Sequence, residues 1–135
     1  NDTKHAGFTT GTPWFTVNPN YENINAANAL KNPDSIFYHY QKLIALRKER
    51  EILTDGDFRM LCMEHPDVFA YERTWKGETM LVVCNFYGKN TQVSFESELQ
   101  GKLPGKIVLS NYPDSSEDYR VLNLRPYEAV LYEIG

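Results

Sequence analysis

The side chains able to do chemistry in this 135-residue chain are few and scattered. The three histidines, His5, His39 and His65, lie far apart and in no HxH, HExxH or Cys/His spacing, so no metal site is expected. His39 reads as a helix residue and His65 as a turn residue. A Ser-His-Asp triad is not excluded by spacing, but there is no GxSxG elbow, and Ser35, Ser94, Ser97, Ser110, Ser115 and Ser116 fit caps, strands or turns. Neither GxxxxGK[ST] nor GxGxxG occurs, so nothing cradles a phosphate and no cofactor is expected. Cys62 and Cys84 sit in the apolar runs MLCM and LVVCNF and read as buried free thiols, which suits a reducing cytoplasm. A disulfide between adjacent strands is the alternative.

Glycosidic chemistry needs two carboxyl groups facing each other across a cleft. The acids here offer no evident pair: Glu49 and Glu51 end a helical stretch, Asp55 and Asp57 flank a glycine, and Glu117 and Asp118 lie in a polar loop. No catalytic residue is therefore assigned within the chain. Substrate-binding residues are left unassigned, with one aromatic in view: Trp75, beside Lys76-Gly77 in a hairpin, could stack on a sugar ring or pack against its own loop.

Charge narrows the classes further. Lys and Arg total 14 against 18 for Asp and Glu, a net charge of -4, so no general positive field exists to collect nucleic acid. No apolar run approaches the roughly 20 residues of a membrane-spanning helix, and the start NDTKHAGF lacks the basic-then-apolar layout of a secretion signal. With 41% hydrophobic and 13% aromatic residues, the composition is that of an ordinary folded domain.

The elements that would position these residues fall into two styles. In residues 1–25, Gly7, Gly11, Pro13 and Pro19 come too close together for long elements, which predicts a loop. Its aromatics Phe8, Trp14, Phe15 and Tyr21 look too apolar to hang in water, so a partner surface is inferred. After Asn32-Pro33-Asp34-Ser35, apolar residues Ile36, Phe37, Tyr40, Leu43 and Ile44 recur at spacings of three and four, predicting a helix over 34–50, with a turn or two more in AANALKN. From residue 56 the period is two. Phe58-Met60-Cys62, Val68-Ala70-Glu72, Met80-Val82-Cys84, Val93-Phe95, Ile107-Leu109 and Val130-Tyr132-Ile134 read as short strands, with turns at His65-Pro66-Asp67, Lys76-Gly77-Glu78, Tyr87-Gly88-Lys89-Asn90, Leu103-Pro104-Gly105-Lys106 and Tyr112-Pro113-Asp114-Ser115. Short strands without intervening helices predict an antiparallel β-sandwich. In its last strand Val130, Tyr132 and Ile134 are expected to face the core, with Ala129 and Leu131 on the opposite side, towards a preceding domain or the rim, and Arg125 is expected to pin a turn by a salt bridge.

The runs HAGFTTGTPWFTVNPNYENIN (5–25), DSIFYHYQKLIALRKEREIL (34–53), FAYERTW (69–75), LVVCNFYG (81–88) and NLRPYEAVLYEI (123–134) resemble, in order, the C-terminal part of oligo-1,6-glucosidases and trehalose-6-phosphate hydrolases. These are α-glucosidases of the α-amylase superfamily, glycoside hydrolase family 13. The resemblance implies a mainly β fold with an N-terminal α segment: residues 1–55 as the end of a catalytic (β/α)8 barrel, with its last helix at about 34–50, and 56–135 as a C-terminal antiparallel sandwich.

The family's nucleophilic Asp, acid/base Glu and stabilising Asp would precede Asn1, the last in an Asn-His-Asp motif that this sequence lacks. The chain is thus expected to be an inactive C-terminal fragment of a cytoplasmic retaining α-glucosidase acting on short α-1,6-linked oligosaccharides. Trehalose 6-phosphate is the runner-up substrate, and a free-standing sugar-binding sandwich using Trp75 and Tyr87 is the non-enzymatic alternative. The expected partners are the missing barrel, the oligosaccharide and, through the face of helix 34–50, further copies of the chain.

Overall fold

A computed structural model describes residues 1–101 and 105–135, and these fall into two compact units, Asn1–Glu49 and Arg50–Gly135. The turn predicted at Leu103-Pro104-Gly105-Lys106 lies partly outside the described residues. The first unit is loop to residue 25, apart from a short 3-10 turn at Lys4–Gly7. Helix α1, Ala26–Lys31, starts where the Asn25 side chain accepts a hydrogen bond from the Asn28 amide at 2.9 Å. Helix α2 runs over Ile36–Glu49, shorter at both ends than the predicted 34–50. At its start the Ser35 hydroxyl donates to the Ala29 carbonyl instead of capping, and the first helical bond is from the His39 amide to the Ser35 carbonyl. The apolar stripe of α2 is uncovered, with Ile36 83% exposed and Tyr40 63%.

The second unit opens with a one-turn helix, α3, at Ile52–Asp55 and continues as seven strands: β1 Asp57–Leu61, β2 Val68–Trp75, β3 Glu78–Asn85, β4 Thr91–Ser94, β5 Lys106–Ser110, β6 Val121–Leu124 and β7 Ala129–Ile134. One sheet has the order β1-β2-β3-β7-β5 and the other pairs β4 with β6, all antiparallel. Between the sheets lies the core, with Leu61, Val68, Ala70, Leu81, Val83, Val130, Tyr132 and Ile134 on one side and Val93, Phe95, Leu122 and Leu124 on the other. The expected sandwich is present. Lys76 and Gly77 make the two-residue β2–β3 turn, both at positive φ (48° and 88°), the handedness that matches strand twist.

Two elements were not anticipated. A single turn such as α3 gives no period to read, and β6 is four residues set between polar loops.

In β3 the core side is Leu81 and Val83, and Met80, Val82 and Cys84 point to the other face. In β7 Val130, Tyr132 and Ile134 face the core as expected, and Leu131, on the opposite face, is only 8% exposed. The outer face of the large sheet is itself covered near α3, where Ile52 and Met80 are buried, so apolar residues occupy both faces of the middle strands. Tyr127, in the turn before β7 at φ 57°, is 63% exposed.

Burial on both faces of β7 makes the two positions comparable. Val130→Ala and Leu131→Ala should each cost about 2–3 kcal/mol in a denaturant titration, the larger side chain lost at 131 offsetting the deeper burial at 130. A loss at Leu131 under about 0.5 kcal/mol, the range of exposed substitutions, would contradict a covered outer face.

Candidate functional site

Three places gather the groups that could act. The first is in the N-terminal loop, where Phe8, Trp14, Phe15, Tyr21 and Ile24 line a cleft of about 730 Å³. Trp14 and Phe15 meet edge to face at 4.8 Å, and Trp14 is 93% exposed. The polar lining is asparagine and threonine, with no acidic or basic side chain among the lining residues. Such a cleft suits an apolar or sugar-like surface and offers no carboxylate, imidazole or amine side chain for proton transfer.

The second place is the β1–β2 turn. Cys62, at φ 49°, has its amide 3.1 Å from both oxygens of Glu98, and its thiol donates to Glu98 Oε2 at 3.1 Å. Burial, together with the facing carboxylate, pushes the thiol up to about 12, and burial also raises Cys84. Both cysteines are free, and a group held protonated in this way is a poor nucleophile. His65 closes the same turn. Its Nδ1 accepts the Asp67 and Val68 amides, which leaves Nε2 to donate to the Gln92 carbonyl at 3.0 Å. As read from the sequence, it is a turn residue.

The third place surrounds Arg125. Its guanidinium donates to Glu128 through Nε (3.0 Å) and Nη2 (2.9 Å) and to Asp114 through Nη1 (2.6 Å), and lies 3.9 Å from the centroid of the Tyr112 ring. Glu128 is 3% exposed and also accepts the Arg125 amide and the Ser115 hydroxyl. Burial pushes its carboxyl up, but the bonds from Arg125 and Ser115 outweigh that and hold it below the usual carboxylate range. The structural role expected of Arg125 is the one observed. Glu128, Ser115, Asp114 and Tyr112 were missed as its partners. The available signal was a carboxylate opening an otherwise apolar strand.

Proton-donor carboxylic acids have raised pKa values. Here the carboxylates that depart from their ordinary values move down: Glu51 beside Lys76 and Trp75, Asp114 beside Arg125, Asp118 to about 2 beside Arg120, and Glu128. These acids hold ion pairs. Among the described residues no three of His, Cys, Asp and Glu are placed to hold a metal.

Trp75 is half-buried; its indole N–H donates to Glu51 Oε2 at 3.1 Å, and Lys76 Nζ lies 5.2 Å from the ring. Tyr87 stands beyond the other end of β3, about 25 Å away at the usual rise per residue. The structure does not bring the two aromatics of the sugar-binding alternative together.

Residues 1–56 match the model of the α-amylase catalytic domain, and residues 68–131 that of the α-amylase SusG C-terminal domain. An oligo-1,6-glucosidase of Halalkalibacterium halodurans is 52% identical over 132 residues, 97% of this chain and 23% of that protein. A trehalose-6-phosphate hydrolase of Bacillus subtilis is 40% identical over 98% of this chain and 24% of its own length. The crystal structure of the Bacillus licheniformis trehalose-6-phosphate hydrolase superimposes with a TM-score of 0.93 at 41% identity, covering 100% of this chain and 24% of that one. The chain thus spans about a quarter of the length of these relatives.

Because Glu128 is held ionised, its contribution to stability is present above its ordinary pKa of 4.5 and is lost as pH falls through the lowered value in the fold. Glu128→Gln should cost about 2–3 kcal/mol at pH 7, since it removes the ionic acceptor of Arg125. It should also make the fall in stability below pH 4.5 shallower than in the parent chain, read by urea titrations at several pH values. A parallel pair of curves would assign the acid sensitivity elsewhere.

Proposed function

We propose, from a chain that belongs to the α-amylase superfamily, that its parent protein is a retaining α-glucosidase hydrolysing short α-1,6-linked gluco-oligosaccharides. Residues 1–55 would complete its catalytic (β/α)8 barrel and 56–135 form its C-terminal sandwich. The observation that carries this reading is the 52% identity with an oligo-1,6-glucosidase over 97% of the chain. In this division residues 1–33 are the segment after the eighth barrel strand and α2 is the last barrel helix. The exposed stripe of α2 and the aromatic loop before it support that assignment, because surfaces this apolar are normally covered.

The chemistry would be a double displacement. A carboxylate attacks the anomeric carbon while a carboxylic acid protonates the departing glycosidic oxygen. Water, deprotonated by the same acid/base group, then releases glucose and restores the nucleophile. Glu51 and Glu128 already have their carboxylate oxygens engaged, by Lys76 and Trp75 and by Arg125 and Ser115, which supports a structural part for this chain. The trehalose-6-phosphate hydrolase relatives, at 40% identity over 98% of the chain, support a second reading with that phosphorylated disaccharide as substrate. A cytoplasmic location fits the two free thiols. In the isolated chain the stripe of α2 is also the surface through which copies would associate, which light scattering reads.

The parent protein should release glucose from isomaltose with kcat/KM at least about tenfold above that for trehalose 6-phosphate, while the 135-residue chain alone should release none from either. The reverse preference would install the second substrate. Turnover by the isolated chain, in material free of host enzyme, would refute its structural role.

A further inference from the structure

The connection between β1 and β2, residues 62–67, is closed by side chains rather than by a tight hairpin. Cys62 opens it at φ 49°, a conformation that costs energy for any residue but glycine and has to be held by its surroundings. Glu98 holds that end, accepting from the Cys62 amide and thiol. His65 holds the other. Half-buried, it accepts at Nδ1 from the Asp67 amide (3.2 Å) and from the amide of Val68 (3.1 Å), where β2 begins, while Nε2 donates to the Gln92 carbonyl in β4 (3.0 Å). One imidazole thus joins the start of a strand in the large sheet to a strand of the small one.

Only one form of the ring satisfies all three contacts. Two amides point at Nδ1, which must offer its lone pair, and the carbonyl at Nε2 needs the proton there. That is the neutral ring. A second proton has only Nδ1 to bind, where it would meet two N–H donors and leave both without an acceptor. Histidine is the side chain that ordinarily takes up such a proton between about pH 8 and about pH 5.

The charged groups near the ring are Glu64 and Glu98, which line the same hollow, and Asp67, which is ion-paired with Lys89 at 2.8 Å. Cys62 lines that hollow too, and its thiol, pushed up to about 12 by burial and by Glu98, keeps its proton throughout. The carboxylates attract a positive ring. Both ring nitrogens are already taken by backbone groups, however, so a charged ring must leave its place to reach any of them.

We propose that His65 is an acid-released clasp, whose protonation at Nδ1 frees the start of β2 and loosens the tie between the two sheets at this corner of the sandwich. The contacts are intact in neutral solution and are lost as the pH falls, because the bonded form is the neutral one. The device is independent of which glucoside the parent protein hydrolyses.

The test is hydrogen exchange read by mass spectrometry on the full-length parent protein, with rates corrected for the intrinsic pH dependence of exchange. Overlapping peptides across residues 65–70 isolate the Asp67 and Val68 amides, since Pro66 has none. The informative variant is His65→Asn, whose carboxamide oxygen can accept the amides two and three residues on, as in an Asx turn, but does not titrate. Between about pH 7.5 and about pH 5 the protection of Asp67 and Val68 should fall at least about fivefold in the unmodified protein and less than about twofold in His65→Asn. Val83 and Val130, in the core of the large sheet, should stay level in both. This window lies above 4.5, the ordinary value below which the Glu128 contribution is lost, so the two acid effects are separable. Unchanged protection in the unmodified protein, or an equal fall in His65→Asn, would overturn the proposal. So would a fall shared by Val83 and Val130, which would mark a general loosening of the fold. Were the variant poorly folded, the profile of the unmodified protein against those two reference amides would decide.

Discussion

A carboxylate that is 3% exposed and still ionised sets the architecture at the open end of the sandwich. Moving Glu128 out of water costs several kcal/mol, and only converging donors can offset that. They come from the β6–β7 turn, as the amide and guanidinium of Arg125, and from the β5–β6 loop, as the Ser115 hydroxyl. Asp114 and Tyr112, on that same loop, hold the other sides of the guanidinium. Around this pair a second tier follows: Asn85 at the end of β3 donates to the Arg125 and Lys89 carbonyls, its amide to the Glu128 carbonyl, and Asn111 donates to the Tyr127 carbonyl and accepts the Ala129 amide. One buried charge thereby ties together the ends of β3, β5, β6 and β7. Its partners come from two loops, and Ser115 is 13 residues away in the chain, which is why no local pattern announces the whole cluster.

What the sequence made legible, and what it did not, divides along the same physical line. Alternation found most of the strands because one face of each meets the inter-sheet core, and the Lys76-Gly77 turn announced its hairpin through local chemistry alone. Alternation alone gives no direction in β3 and β7, where Met80 and Leu131 are buried on the face opposite the core. A strand covered on both sides has no polar half to mark direction. The burial of Leu131 is therefore information about the outer face.

The candidate site divides in the same way. Arg125 was readable as a turn residue because Pro126 beside it marks a turn, but its acceptors come from as far as Asp114 and were out of reach of any spacing rule. Trp75 looked available for sugar because an aromatic in a hairpin is normally exposed; Glu51, 24 residues earlier, accepts its N–H. The family resemblance reached what spacing did not, because it rests on five ordered runs of residues rather than on any one group.

Polar and apolar interactions have been given separate tasks in the second unit. Several of its described cations are committed internally: Arg50 to Glu78 and Glu133, Arg59 to Glu72, Lys76 to Glu51, Lys89 to Asp67, and Arg125 to Glu128 and Asp114. Most of these pairs are partly exposed and individually contribute little, but together they tie α3 and the loops to particular strands. The aromatics Phe58 and Phe86 are left on the outside, where burying them against water alone would contribute nothing. A domain evolved to stand free would replace them with polar residues at almost no cost to its own core. Phe58 and Phe86 lie on the sheet face whose other end α3 covers.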